Sequence, residues 1–109
     1  MNDRVRYAFR MRLNPGTAYA YRQFHEAVDP IVIDEIRRAG IRNYSIFLDG
    51  DDLFGYFEVG DLEVLARVMK ASDPTRPWAR AVIELFASKE NDPATGMPPR
   101  LQEVFRYDE

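Results

Sequence analysis

Val5, Tyr7, Phe9, Met11 and Leu13 alternate with Arg6, Ala8, Arg10 and Arg12, so the chain must begin with a strand that has one buried face and one polar face. Everything after it has to cover that buried face. Asn14-Pro15-Gly16 reads as a turn, and Thr17 offers a helix N-cap. From residue 18 to 39 the apolar spacing becomes helical, with Phe24, Val28, Ile31 and Ile36 near one face. Pro30 removes a backbone donor inside this stretch and should kink or split the helix, and Gly40 suits its end.

Tyr44, Ile46 and Leu48 alternate with polar neighbours as a second strand. Asp49-Gly50-Asp51-Asp52 is a tight turn into a third strand over 53–59, which makes a hairpin. A helical run starts at Asp61 with Leu62, Leu65, Val68 and Met69, and Asp73-Pro74 interrupts it. A further helix from about residue 76 to 87 carries Trp78, Val82, Leu85 and Phe86. Residues 88–100 hold Pro93, Gly96, Pro98 and Pro99 without an apolar period, a long loop of the kind that usually serves function. Leu101 to Tyr107 reads as a fourth strand.

The order β-α-β-β-α-β predicts an α+β fold of the ferredoxin-like split βαβ type, with four antiparallel strands in one domain spanning residues 1–109. The sheet face away from the helices still carries apolar residues. A second copy of the chain is the simplest cover, so a homodimer with facing sheets is expected.

Composition narrows the function classes. The net charge is −3 with both signs interspersed, which is not the basic footprint of a nucleic-acid binder. No apolar run approaches the roughly 20 residues that span a bilayer, and the N-terminus lacks the apolar core of a signal peptide, so a cytoplasmic protein is expected. There is no cysteine, which excludes disulfides and thiolate metal sites.

His25 is the only histidine, and so the only side chain that titrates near neutrality without tuning. Tyr21 lies four positions before it and shares its face on a helix, placing a phenol beside a proton-transfer group. A lone helical histidine is more often a surface or core residue than a catalyst. One histidine with scattered carboxylates makes no transition-metal site. Tyr44, facing inward with Ile46 and Leu48, reads as a core tyrosine with a bonded hydroxyl. Trp78, the only tryptophan, reads as core or interface, or as an apolar platform for a sugar. Turns and helix starts account for Asp49, Asp51, Asp52, Asp61 and Asp73. There is no phosphate loop, dinucleotide fingerprint or nucleophile elbow.

Several segments together carry a resemblance. Tyr7-Ala8-Phe9-Arg10-Met11 leads to Asn14-Pro15-Gly16, then Tyr21-x-x-x-His25, then Asn43-Tyr44-Ser45-Ile46-Phe47-Leu48-Asp49. Trp78 follows, and Leu101-Gln102-Glu103-Val104-Phe105 closes the chain. Over nearly its whole length this pattern resembles the L-rhamnose mutarotase family. The resemblance implies a dimeric α/β barrel, His25 as proton donor, Tyr21, Tyr44 and Trp78 as sugar contacts, and neither cofactor nor metal. The chain departs from the family pattern twice. Val28-Asp29-Pro30 stands where members commonly have Ile-Trp-Pro, and Trp78-Ala79 where they commonly have two tryptophans. A polar Asp29 near the pocket would favour another hydroxyl pattern, such as that of L-fucose. The rival expectation is a cofactor-free monooxygenase or ligand-binding member of the same barrel architecture.

Overall fold

The alternating N-terminal run forms β1 (Val5–Arg12), the edge of a three-stranded antiparallel sheet in the order β1-β3-β2. The computed structural model describes residues 4–88 and 90–108. After β1 come α1 (Ala18–Phe24) and α2 (Pro30–Arg38), then the hairpin of β2 (Ile41–Asp49) and β3 (Asp52–Val59). α3 (Leu62–Ala71) and α4 (Pro77–Ile83) follow. β3 lies between the other two and pairs with both, from Val5↔Val59 to Arg12↔Asp52 on one side and from Ile41↔Val59 to Asp49↔Asp52 on the other.

Pro30 splits the first helical stretch, as its missing N–H requires. Asp29 just before it is extended (φ −52°, ψ 125°), the conformation a following proline imposes. The Asp29 carboxylate then caps α2 by accepting from the Ile31 N–H at 2.9 Å. Asp61 caps α3 in the same way through the Glu63 N–H. Thr17 does not cap α1. Its hydroxyl donates to the Asn14 carbonyl at 2.7 Å, which ties the preceding turn instead.

The inner face of the sheet packs under the helices. Tyr7, Leu13, Leu53, Phe57, Val59 and Leu65 are essentially sealed from solvent, each worth about 1.5–3 kcal/mol of burial. Tyr7 and Phe57 stack at 4.8 Å with an interplanar angle of 7°. The outer face carries the polar side of β1 but also Phe47 and Phe54, cross-strand partners exposed at 61% and 39%.

The expected fourth strand does not form. The segment 101–107 starts beside β1, where a fourth strand belongs, and the Leu101 N–H donates to the Ala8 carbonyl at 2.7 Å. No ladder continues from there. Pro98 and Pro99 have no N–H to give, and the Arg100 Nε–H takes the Arg6 carbonyl at 3.0 Å, an acceptor on the free edge of β1. Val104, Phe105 and Tyr107 are left open to solvent. Among the described residues the sheet therefore has three strands, not four, and the breaks at Pro30 and Asp73-Pro74 divide the two helical stretches into four helices.

β2 contains an irregularity that matters below. Its pairing runs Arg42↔Glu58 and then Ser45↔Tyr56, so two residues, Asn43 and Tyr44, face one residue of β3. Asn43 takes φ +53°, a left-handed conformation that asparagine tolerates better than most residues. This bulge puts both Ile41 and Tyr44 on the inner side, although an odd number of positions separates them.

Candidate functional site

α1 ends in the candidate catalytic residue. The helix stops at Phe24, and His25 is its C-cap. Its Nδ1 lies 2.8 Å from the Tyr21 carbonyl oxygen. A carbonyl can only accept, so Nδ1 carries the hydrogen and Nε2 is left for a ligand. The four-residue spacing also brings the Tyr21 and His25 rings to 4.2 Å. Trp78 packs its ring edgewise against His25 at 5.5 Å, and its indole N–H donates to the Phe24 carbonyl at 3.2 Å.

Two adjoining hollows share Tyr21 and Ile46. The first is an open groove of about 400 Å³ bordered by His25, Arg22, Glu26 and Leu48. The second is a cavity of about 350 Å³ over the inner face of the sheet, a volume suited to a small ligand. Its floor is Phe9, Met11, Tyr44 and Leu53; one side is Ile83 and Phe86; its roof is Asn91, Gly96, Met97 and Pro98. Gly55 lies directly opposite Phe9 on the central strand, which lets the Phe9 ring of the floor lie close over the strand backbone. A methyl group there would run into the Phe9 ring.

The tyrosines at the cavity are kept protonated. Burial pushes the Tyr44 hydroxyl up to about 12. Burial, with Tyr44 as neighbour, pushes Tyr21 higher still. Both act as neutral hydrogen-bonding groups at ordinary pH. Among the described residues no group of three or more metal-ligating side chains is gathered. No helix there is long and apolar enough to cross a membrane.

Of the residues singled out in the sequence, Tyr21, His25 and Tyr44 converge on these hollows. Trp78 borders neither. It backs the imidazole, with its one polar atom already bonded to the backbone. Asp29 also stays out of the hollows. One carboxylate oxygen caps α2 and the other pairs with Arg76 at the start of α4. It thus holds the loop after His25 against the helix that carries Trp78.

The roof was missed as a set of site residues, although the loop containing it was flagged by its length. It closes over the cavity of its own chain. Tyr7, buried under it, donates its hydroxyl to the Pro98 carbonyl at 2.7 Å and pairs with the Thr95 hydroxyl at 3.0 Å.

Over most of its length the chain is similar to known proteins. The family model described as L-rhamnose mutarotase matches residues 6–107. A protein of Sinorhizobium fredii (strain NBRC 101917 / NGR234) named L-rhamnose mutarotase is 36% identical over 90 residues, covering 81% of this chain and 86% of its own. One of the same name from Burkholderia orbicola (strain MC0-3) is 40% identical over 83 residues, covering 74% and 79%. The crystal structure of an L-rhamnose mutarotase from Formosa agariphila superimposes with a TM-score of 0.66 at 29% identity, over 95% of this chain and 99% of that one.

Proposed function

The chain belongs to the L-rhamnose mutarotase family, a family of isomerases, and from that premise we propose that it interconverts the α and β anomers of L-rhamnose by general acid–base catalysis at His25. The observation that carries the reading is the fixed imidazole. With Nδ1–H donated to the Tyr21 carbonyl, Nε2 is the nitrogen left for a ligand, on a residue that borders the groove beside the cavity.

Mutarotation opens the pyranose to its aldehyde and recloses it on the other face. Opening takes the proton from the anomeric hydroxyl and delivers one to the ring oxygen as the C1–O5 bond breaks. Closing reverses both transfers after rotation about C1–C2. Neutral His25 takes the anomeric proton at Nε2, and the imidazolium so formed delivers it to the ring oxygen; on closing, the neutral ring takes that proton back and returns it to the carbonyl oxygen. Tyr21 and Tyr44, held protonated by burial, bond sugar hydroxyls without competing for that proton. The mainly apolar floor suits the methyl group and C–H face of a 6-deoxy sugar. Trp78 serves this site by holding the imidazole from behind. General acid–base help of this kind is worth roughly 10²–10⁴-fold.

Saturation-transfer NMR on L-rhamnose, L-fucose and other free aldoses tests the proposal. Faster anomer exchange on L-rhamnose than on the other sugars is expected. A wild-type protein that accelerates none of them ends it, and preference for L-fucose replaces the substrate.

A homodimer through the outer sheet face is part of the same proposal. The exposed Phe47–Phe54 pair and the apolar segment 101–107 beside the β1 edge support it. Analytical ultracentrifugation should find a dimer that Phe47→Asp separates into monomers; a monomeric wild type rejects it.

A further inference from the structure

The cavity roof has spent its backbone donors before any ligand arrives. Over residues 92–98 every backbone donor has been used. The Asp92 N–H donates to the Met97 carbonyl at 2.8 Å. The Thr95 and Gly96 N–H groups both donate back to the Asp92 carbonyl, at 3.1 and 2.8 Å. The Ala94 N–H goes to the Asp92 carboxylate at 2.9 Å, and the Met97 N–H to the Thr95 hydroxyl at 3.2 Å. Pro93 and Pro98 have no N–H. The Pro98 carbonyl and the Thr95 hydroxyl are held from below by Tyr7.

The rest of the wall offers little more. β1 and β3 spend their backbone on each other, and the side chains of Phe9, Met11, Ile46, Leu53, Ile83 and Phe86 are apolar. Among the described residues three polar side chains remain on the cavity: Tyr21, Tyr44 and Asn91. A free pyranose brings four or more hydroxyls and a ring oxygen into such a space, and a hydroxyl enclosed without a partner weakens binding strongly. With His25 giving its one free nitrogen to the reacting oxygens, two phenols leave part of that demand unmet.

We propose that Asn91 is a specificity-determining residue, its carboxamide reading two neighbouring hydroxyls of the sugar from the roof. The chemistry suits the task. Nδ2–H donates to one hydroxyl oxygen while Oδ1 accepts from the next, so one planar group checks the relative orientation of a vicinal pair. A phenol donates and accepts through one oxygen, whereas the carboxamide offers its donor and its acceptor from two separate atoms in one plane. Asn91 is also placed for precision. It directly precedes a loop closed by its own hydrogen bonds and pinned to β1 by Tyr7, so its backbone has little freedom to follow a misfitting sugar. The assignment deepens the mutarotase reading and rests on it for the identity of the ligand.

The test measures affinity and exchange separately. Isothermal titration gives the Kd of L-rhamnose and L-fucose for the wild type, Asn91→Leu and Asn91→Asp, and saturation-transfer NMR gives anomer exchange. Asn91→Leu should weaken L-rhamnose binding by roughly tenfold or more, the usual cost of removing a partner from an enclosed hydroxyl. It should narrow the preference between the two sugars and keep the thermal midpoint. Asn91→Asp keeps the acceptor but not the donor and should fall between. An unchanged Kd and unchanged preference in Asn91→Leu overturns the assignment, as does an equal loss for both sugars. A wild type that binds L-rhamnose without exchanging it overturns the mutarotase reading instead, and the affinities still decide for or against Asn91.

Discussion

The two sides of the site are held in place by opposite means. On one side, α1 sets Tyr21 and His25 by a four-residue spacing, and even the hydrogen bond that orients the imidazole stays within that spacing. On the other side, the roof over 91–98 meets the sheet through residues almost ninety positions away, chiefly the Tyr7 hydroxyl. On the proposed mechanism the helical side carries the proton chemistry and the roof carries the shape. A local device suits proton transfer, which needs one atom in one direction. A long-range pin suits selection, which needs a wall at a set height above a floor.

This contrast breaks first at His25. His25→Ala should lower kcat by roughly 10²–10⁴-fold while L-rhamnose affinity stays within a few-fold, measured by NMR exchange and titration. Tyr7→Phe strikes the other side. It removes a sealed hydroxyl that has two partners, so a loss of about 1–3 kcal/mol is expected in urea unfolding. Hydrogen exchange should then quicken at the amides of 94–97 and stay slow in α1; equal acceleration in both would erase the contrast. Asp29→Ala sharpens it from the junction behind His25. The lost cap and Arg76 partner should cost about 1 kcal/mol, with L-rhamnose affinity unchanged, because Asp29 borders neither hollow. A large loss of sugar affinity would place Asp29 in the site after all.

The smallest effect appears only in alkali. Tyr44 titrates near 10.0 when unfolded and near 12 when folded. The folded state holds the proton more tightly, so the stabilisation is complete below pH 10 and is lost as the pH rises toward 12. Thermal midpoints should fall across that window, and less steeply in Tyr44→Phe.

Periodicity made much of this molecule readable from its residues. The alternation in β1, the hairpin, the split at Pro30 and the Tyr21–His25 pair all follow from contacts a few positions apart. The errors arose where distant groups compete for the same partners. Leu101 to Tyr107 has the composition of a strand, but the Arg100 side chain and two prolines withhold what a ladder needs. Thr17 is a good cap that finds a turn carbonyl instead. Asp29 looked like a polar wall of the pocket and is held by Arg76, a partner no spacing rule reveals. Asn91 lay inside a loop marked by its length alone, since only folding shows that its neighbours have used up their own donors.

The bulge at Asn43 sets a rule about chain length rather than chemistry. Tyr44 faces the cavity because β2 holds one residue more than β3 across the same span. Substitutions around it change one side chain at a time. A one-residue deletion between Arg42 and Ser45 would restore perfect pairing and swap the two faces on one side of the cut, exchanging Ile41 and Tyr44 between core and solvent relative to each other. This stretch therefore tolerates new letters far better than a new count, and successful variants of β2 should vary in spelling while keeping the same length.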